Sequence, residues 1–576
     1  MASAERPNHH VVSVVVQLIL VAIVCSLHHL AGLIATQGHY TPFSVSPSVS
    51  ALTFDETYAY APPARRYMSS GALPAETDEY EHRHFTAGTS PFPTVILGTI
   101  GRLFGNLEAA FLIADVTFPS CLFALLYWIS GDLIEAPLLR SLVVWSSLLI
   151  PFNLKDSFGI GVDALVDPLD ITRTPQPEIT FPLLILAAVC TGRAIAEPER
   201  GRWGWTLAAA FASGTVIYSY YFFAVAWVIT LGLVLLFCMS TKSRSASLKI
   251  AFIVGATIAF SIPFVRASLR GQSEKGQTYL LERMGAYTHR PDLLALAGGV
   301  LLAAGVFVLG KNLRIYQPTY LVLSLLVAGS ILGMNIQILT GVETQPWHFW
   351  KRLAIPLCFF IAASVVAQLL EQRWHGDGRL TRIVRALLAI VIVNAGARQL
   401  VAGINAAPYQ KTTNSDVVLL RWVDHNLPPD HVIGTVNPDL ILLTPALTNE
   451  YTYVPSGLRS LTSTPEIIAR YTSLGCLLEL SPERMKEDAR VLNHGGISNK
   501  LLHVLGLSFV GEPNVFQSFV DQYRSRYRNC SPAPLGRVDY VVLRAGEAVP
   551  KRLAATFPSV HLLYENADYK LVALNR

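Results

Sequence analysis

Residues 203–239 read WGWTLAAAFASGTVIYSYYFFAVAWVITLGLVLLFCM, an apolar run broken only by Tyr218-Ser219-Tyr220-Tyr221. A membrane span takes about 20 apolar residues, within roughly 17–25. The run is therefore either one long kinked helix or two short spans joined by a tight turn at the tyrosines. The choice reverses the sidedness of everything downstream. The positively charged loops decide it. Split the run at Tyr218–Tyr221 and place the N-terminus on the cytoplasmic side. Then 241–249 (TKSRSASLK), 310–315 (GKNLRI) and 371–382 (EQRWHGDGRLTR) all fall inside, as short Lys/Arg-rich loops should.

The same pattern extends outward from this run. The chain has 576 residues, 52% hydrophobic and 15% charged, whereas soluble domains carry about 25% charged residues. The depletion is concentrated in residues 1–403, and residues 404–576 have the composition of a soluble domain. Apolar stretches near 11–36, 107–129, 138–153, 178–197, 203–218, 221–239, 248–266, 293–310, 319–340, 352–370 and 380–403 predict about eleven spans. The first exceeds the roughly 7–15 apolar residues of a signal peptide and reads as a retained span. An odd number of spans puts the loops 37–106, 154–177, 267–291 and 341–351 outside, together with the 404–576 domain. The chain is expected in an inner or plasma membrane with that domain extracytoplasmic.

The C-terminal part predicts a small α/β layer domain. Residues 417–427 have helical periodicity, and 431–436 and 539–544 are β-branched runs suited to buried strands. Residues 561–574 predict a terminal hairpin turning near Asn566-Ala567. Outside the cell Cys476 and Cys530 can form a disulfide, the alternative being two buried thiols. The other five cysteines lie in apolar spans as packing residues.

Several function classes drop out. There are no zinc-type cysteine pairs, no P-loop, no GxGxxG and no DxD. The formal net charge of +5 comes with no basic run of the density nucleic-acid binders use.

The expected outer loops hold the candidate chemistry. The first carries Asp55-Glu56, Arg65-Arg66 and 79–85 (EYEHRHF), and ends in 90–105 (SPFPTVILGTIGRLFG), apolar at helical spacing and suited to an interfacial helix. The second carries Asp156, Asp163, Asp167 and Asp170, then Arg173 before two prolines. The last holds Trp347-His348-Phe349-Trp350-Lys351-Arg352. A Lys-Arg pair on the outer side runs against the charge rule. Lys351 and Arg352 are either snorkelling anchors or ligands of a lipid phosphate. Arg173 carries the same pair of readings, and the second-loop acids are either a solvated loop or a metal-binding or second acidic group.

Asp55-Glu56 after the first span, Gly71 closing a helix, Pro91-Phe92-Pro93 and Leu103-Phe104-Gly105 together resemble the first outer loop of the GT-C glycosyltransferases. The likeness is to their protein O-mannosyltransferase and aminoarabinose transferase branch, and it covers the first 130 residues. Beyond that it is architectural. The resemblance implies sugar transfer from a polyprenyl-phosphate donor to a glycan, lipid or protein acceptor, with Asp55 as general base and Glu56 positioning it or binding acceptor. A divalent cation, Mg or Mn, between Asp55 and a second-loop acid is the cofactor it allows. Where members carry a Lys before the proline turn, this chain has Ser90. That leaves the phosphate to Arg65-Arg66, Arg83 or His84, with Arg173, His348, Lys351 and Arg352. The rivals are a lipid or solute transporter, a polysaccharide polymerase or ligase using diphosphate-linked glycans, and a scaffold whose tail does the binding. A transporter places ionisable residues mid-span, and few lie there in this chain.

Overall fold

The computed structural model describes residues 7–43, 56–73, 76–83, 91–149, 169–173, 176–197, 203–273, 285–312, 317–373, 378–457, 459–491, 499–505, 507, 515–530 and 536–575. Each apolar stretch expected to span is a helix. In chain order these are α1 (Pro7–Ala35), the two first-loop helices α2 (Ala61–Ser70) and α3 (Pro91–Phe104), then α4 (Leu107–Ser130), α5 (Pro137–Leu149), α6 (Thr180–Ala196), α7 (Gly204–Ile217), α8 (Tyr221–Ser240), α9 (Arg244–Ser273), α10 (Leu293–Asn312), α11 (Pro318–Gly333), α12 (Ile355–Arg373) and α13 (Gly378–Ala406).

Among the described residues six segments are long and apolar enough to cross a membrane: Ser13–Ala35, Leu107–Ser130, Tyr221–Ser240, Arg244–Ala267, Trp347–Arg373 and Gly378–Tyr409. The chain is an integral membrane protein. Among the described residues the other expected spans give shorter apolar helices, the briefest being Pro137–Leu149 with 13 described residues. At 1.5 Å per residue such a helix rises only about 20 Å, against a hydrocarbon core of about 30 Å. Some of them sit inside the bundle. In α11, 13 of 16 residues are buried, which explains why it is apolar on every face. Glycines set the closest approaches: a Cβ on Gly192 would lie 2.6 Å from the Thr319 Cα.

The division at the tyrosines is present. Helix α7 stops at Ile217, Tyr218 and Ser219 turn back onto Thr215 and Val216, and Tyr220 is extended before α8. Side-chain contacts pin the two ends of the bundle. At one end Arg193 pairs with Asp132 at 2.8 Å, Lys249 donates to the Glu197 carbonyl at 2.6 Å, and Glu371 accepts from the Glu135 amide at 2.9 Å. At the other, the Asp292 amide meets Asn335 at 2.8 Å and the Phe92 amide meets the Tyr218 carbonyl at 3.0 Å. Strands β1 (Gly285–Tyr287) and β2 (Val342–Thr344) form a small antiparallel ribbon at that second end.

The C-terminal residues build a five-stranded sheet over this same end. Its order is β4 (Tyr451–Thr452), β3 (Val432–Gly434), β5 (Tyr540–Arg544), β7 (Tyr569–Asn575) and β6 (Ser559–Glu565). Strand β3 is parallel to β4 and β5, and β7 is antiparallel to β5 and β6. The expected hairpin is the β6–β7 pair, with Asn566 Oδ1 receiving the Asp568 and Tyr569 amides in the turn. Cys476 and Cys530 are joined in a disulfide.

The sheet's core does not stop at the first outer loop. Ala61, Ala64, Leu97, Leu107 and Phe111 belong to one buried cluster with Leu440, Leu443 and Val541. Gly71, at φ +74°, ends α2 with its amide on the Tyr67 carbonyl, a position glycine takes without steric cost. Helix α3 buries Pro93, Thr94, Leu97, Gly98 and Gly101, while Leu103 and Phe104 stay exposed. That is the division expected of an interfacial helix.

Candidate functional site

Four segments meet at the bundle end beneath the sheet. The first is the π-helical turn Glu56–Tyr60 that leads into α2. The second is Arg173 with residues 176–179 ahead of α6. The third is the turn 218–220. The fourth is the helix Trp347–Phe349 with the π-turn Trp350–Ala354 after it. Side chains join them in sequence. The Tyr60 hydroxyl donates to Gln176 Oε1 at 2.7 Å, and Gln176 Nε2 donates to the Ser219 carbonyl at 3.3 Å. The neighbouring Tyr220 hydroxyl meets His348 Nδ1 and accepts from Arg352 Nη1 at 3.4 Å.

His348 is 7% exposed, and the Phe222 ring lies 4.5 Å from it, centroid to centroid. Its Nε2 has no hydrogen-bond partner among the described residues. An imidazole held through one nitrogen presents the other in a fixed direction. Arg173 is 4% exposed and lies within electrostatic reach of this ring. Lys351 and Arg352 both lie over the Trp347 ring, at 5.8 and 5.6 Å from its centroid. Lys351 is exposed and Arg352 half-buried. The arrangement offers guanidinium groups and an imidazole around one spot, a set suited to an oxyanion with several oxygens.

Arg173, His348 and Arg352 thus come together, with Lys351 beside them. Arg65 and Arg83 do not join them. Arg65 donates to the Ala446 carbonyl at 3.0 Å and to Asp424 at 3.4 Å, both in the C-terminal part. Its neighbour Arg66 pairs with Asp430 at 2.7 Å and lies over the Tyr451 ring. Arg83 stacks 3.8 Å from the Tyr80 ring centroid and donates to the Tyr80 carbonyl. Asp55, His84, Asp156, Asp163 and Asp167 lie outside the described residues. Glu56 and Asp170 are described as backbone alone, Glu56 opening the turn before α2 and Asp170 a 3-10 turn before Arg173.

Two further charged groups have partners that the sequence reading did not anticipate. The first ties the outer loop to the sheet domain. Asp78 pairs with Arg459 at 2.9 Å, and its carbonyl accepts from the Thr452 amide of edge strand β4 at 2.8 Å. Arg470 holds Glu79, with Glu81 at 3.2 Å and Glu466 at 3.0 Å. Burial pushes the Glu79 carboxyl up, yet His82 and Arg470 hold it below the usual carboxylate range. The second group is His28, His29 and Asp115, from α1 and α4. Its only signals in the sequence were adjacent histidines and a lone aspartate, each inside an apolar run.

No protein-family model matches this chain, and no curated protein does. Among solved structures the chain is similar to ArnT from Cupriavidus metallidurans. The form bound to undecaprenyl phosphate is 15% identical, with a TM-score of 0.47 over 97% of each chain. The apo form is 15% identical, with a TM-score of 0.48 over the same shares. The chain is also similar to the apo form of the Archaeoglobus fulgidus oligosaccharyltransferase, 10% identical with a TM-score of 0.44, over 94% of this chain and 70% of that one.

Proposed function

We propose that this chain is a GT-C-type glycosyltransferase, moving a sugar from a polyprenyl-phosphate carrier to an acceptor at the outer face of an inner or plasma membrane. The observation that carries the reading is the line of contacts from Tyr60 through Gln176 to Tyr220, His348 and Arg352. It brings the turn that starts one residue after Asp55 onto the same wall as the basic residues.

In this reading Asp55 takes the proton from the acceptor hydroxyl. The oxygen attacks the anomeric carbon, and the bond from that carbon to the phosphate oxygen breaks with its electron pair going to the phosphate. Arg173 and Arg352 face the charge that develops there, Lys351 approaches from the exposed side, and His348 Nε2 orients one oxygen. Glu56 positions Asp55 or the acceptor. Asp55 with Asp156, Asp163, Asp167 or Asp170 would hold a divalent cation, Mg or Mn, through an all-oxygen donor set, and the cation would supply further positive charge to the departing phosphate.

Residues 1–403 form the membrane domain, and 404–576 the extracytoplasmic domain over its outer end. The basic residues Lys242 and Arg244 after α8 and Arg373 at the end of α12 fall at the opposite end, which supports that sidedness. The test is Asp55→Asn in proteoliposomes supplied with a labelled polyprenyl-phosphate sugar. Loss of polyprenyl-phosphate release, with an unchanged melting profile, is expected. Undiminished release removes the mechanism, and movement of the intact lipid across the membrane without bond cleavage makes the chain a transporter.

A further inference from the structure

We propose that His28, His29 and Asp115 form a binding site for a transition-metal cation of the zinc class. Consecutive residues on a helix point about 100° apart, yet both imidazoles turn onto one carboxylate. His28 Nε2 lies 3.5 Å from Asp115 Oδ2, His29 Nε2 meets the same oxygen, and the two rings stack with centroids 3.8 Å apart. One ligand atom from each residue lies within 4.8 Å of the others, close enough for a single ion to span all three. Asp115 is 3% exposed and His28 8%.

The remaining ring nitrogens are also held. His29 Nδ1 meets the Tyr40 hydroxyl at 2.6 Å, and His28 Nδ1 meets Gln399 Nε2 at 3.3 Å. Ligating histidines commonly donate their second N–H to an oxygen, as His29 can to Tyr40, whereas His28 Nδ1 faces an amide N–H. The backbone carrying the pair is clamped by α13, where a Cβ on Gly403 would come within 2.2 Å of the His28 carbonyl. Two imidazoles and one carboxylate suit zinc, cobalt or nickel, with a fourth position open to water. An all-carboxylate set of the kind proposed for Asp55 suits a harder ion, so the two sites differ in chemistry.

One neighbour sets the strength of binding. Gln399 Oε1 accepts from the Leu169 amide at 3.1 Å, and its Nε2 donates to the Cys25 carbonyl at 3.1 Å. The amide orientation is therefore fixed, with N–H facing His28 Nδ1. Without metal, His28 accepts there and donates from Nε2 to Asp115. Ligation moves the His28 proton to Nδ1, where Gln399 offers no acceptor. Gln399→Glu supplies one and tightens the site.

The experiment uses the full chain in detergent, freed of tag and stripped with chelator, titrated with Zn²⁺ and separately with Co²⁺. One equivalent of Zn²⁺ and visible cobalt d–d bands are expected. Asp115→Asn and His29→Ala should lose both, and Gln399→Glu should bind about tenfold more tightly, the low end of what a hydrogen-bond partner of a ligating histidine contributes. The proposal is overturned by a wild-type chain that takes up no stoichiometric Zn²⁺, or by uptake that survives both ligand variants. Neither outcome depends on sugar transfer, so the site stands or falls independently of the proposed activity.

Discussion

The Tyr220 hydroxyl meets Nδ1 of His348, joining the turn between α7 and α8 to the segment ahead of α12. The same hydroxyl receives Arg352, so one oxygen organises two of the basic groups proposed to hold the lipid phosphate.

Tyr220→Phe removes that oxygen and keeps the ring, which packs 5.2 Å from Phe222 and 5.0 Å from Phe223. It leaves a buried imidazole nitrogen unsatisfied, a change of about 1–3 kcal/mol. The expected result is an apparent KM for the lipid donor raised by about tenfold, which corresponds to about 1.4 kcal/mol. The melting temperature should fall by no more than a few degrees, the cost of that nitrogen alone, because the aromatic packing remains. Steady-state kinetics and thermal melting on the same preparation check this.

Lys351 and Arg352 should separate in their effects. Both lie over Trp347, but only Arg352 is half-buried and bonded to Tyr220. Arg352→Gln should weaken binding of polyprenyl phosphate by about tenfold or more, since a charge-assisted bond contributes about 1.5–3 kcal/mol. Lys351→Gln should weaken it about threefold or less, an exposed charge being screened by water and salt. Equal effects would make the pair membrane anchors and nothing more.

Arg470 should matter to the whole assembly although it lies outside the His348 group. It is 2% exposed and faces Glu79 and Glu81 of the first outer loop. Arg470→Ala leaves buried carboxylate without its partner, which costs about 3–5 kcal/mol in comparable sites. We expect a lower melting temperature and faster proteolysis around residues 76–83, followed by loss of transfer. Proteolysis mapped by mass spectrometry gives the readout.

Stability should fall as pH rises from about 5 to about 8, because Glu450 is pushed up to about 8 by burial. The folded chain holds a proton there that the unfolded chain releases near the ordinary carboxylate range. Folding therefore takes up a proton between those values, and each step upward in pH disfavours it until the curve levels above the folded value. His82, raised by its bond to Glu79, contributes a drop of the same sign that is complete once pH passes its folded value. Glu450→Gln should reduce the first component, to which Glu76, pushed up to about 8 by burial and by Asp78, also contributes, and should leave the second. Melting curves at pH 5, 6.5 and 8 on both chains make the comparison.

The helical membrane class, the break at Tyr218–Tyr221, the cap at Gly71 and the terminal hairpin were all legible in the order of residues. Each depends on local periodicity, apolar length or a backbone position that glycine favours, and neighbours in the chain set those. The span lengths were less legible: α11, for one, has 16 residues and is enclosed on nearly all sides by other helices. Which charges meet was not legible at all. Arg65 and Arg66 looked as available for phosphate as Arg352, yet Asp424, Asp430 and the Ala446 carbonyl occupy them. Nothing in the order of residues sets His28 and His29 beside Asp115; the packing of α1 against α4 does. A charged side chain is assigned by whichever partner the packed helices carry to it, and only tertiary structure brings such distant partners together.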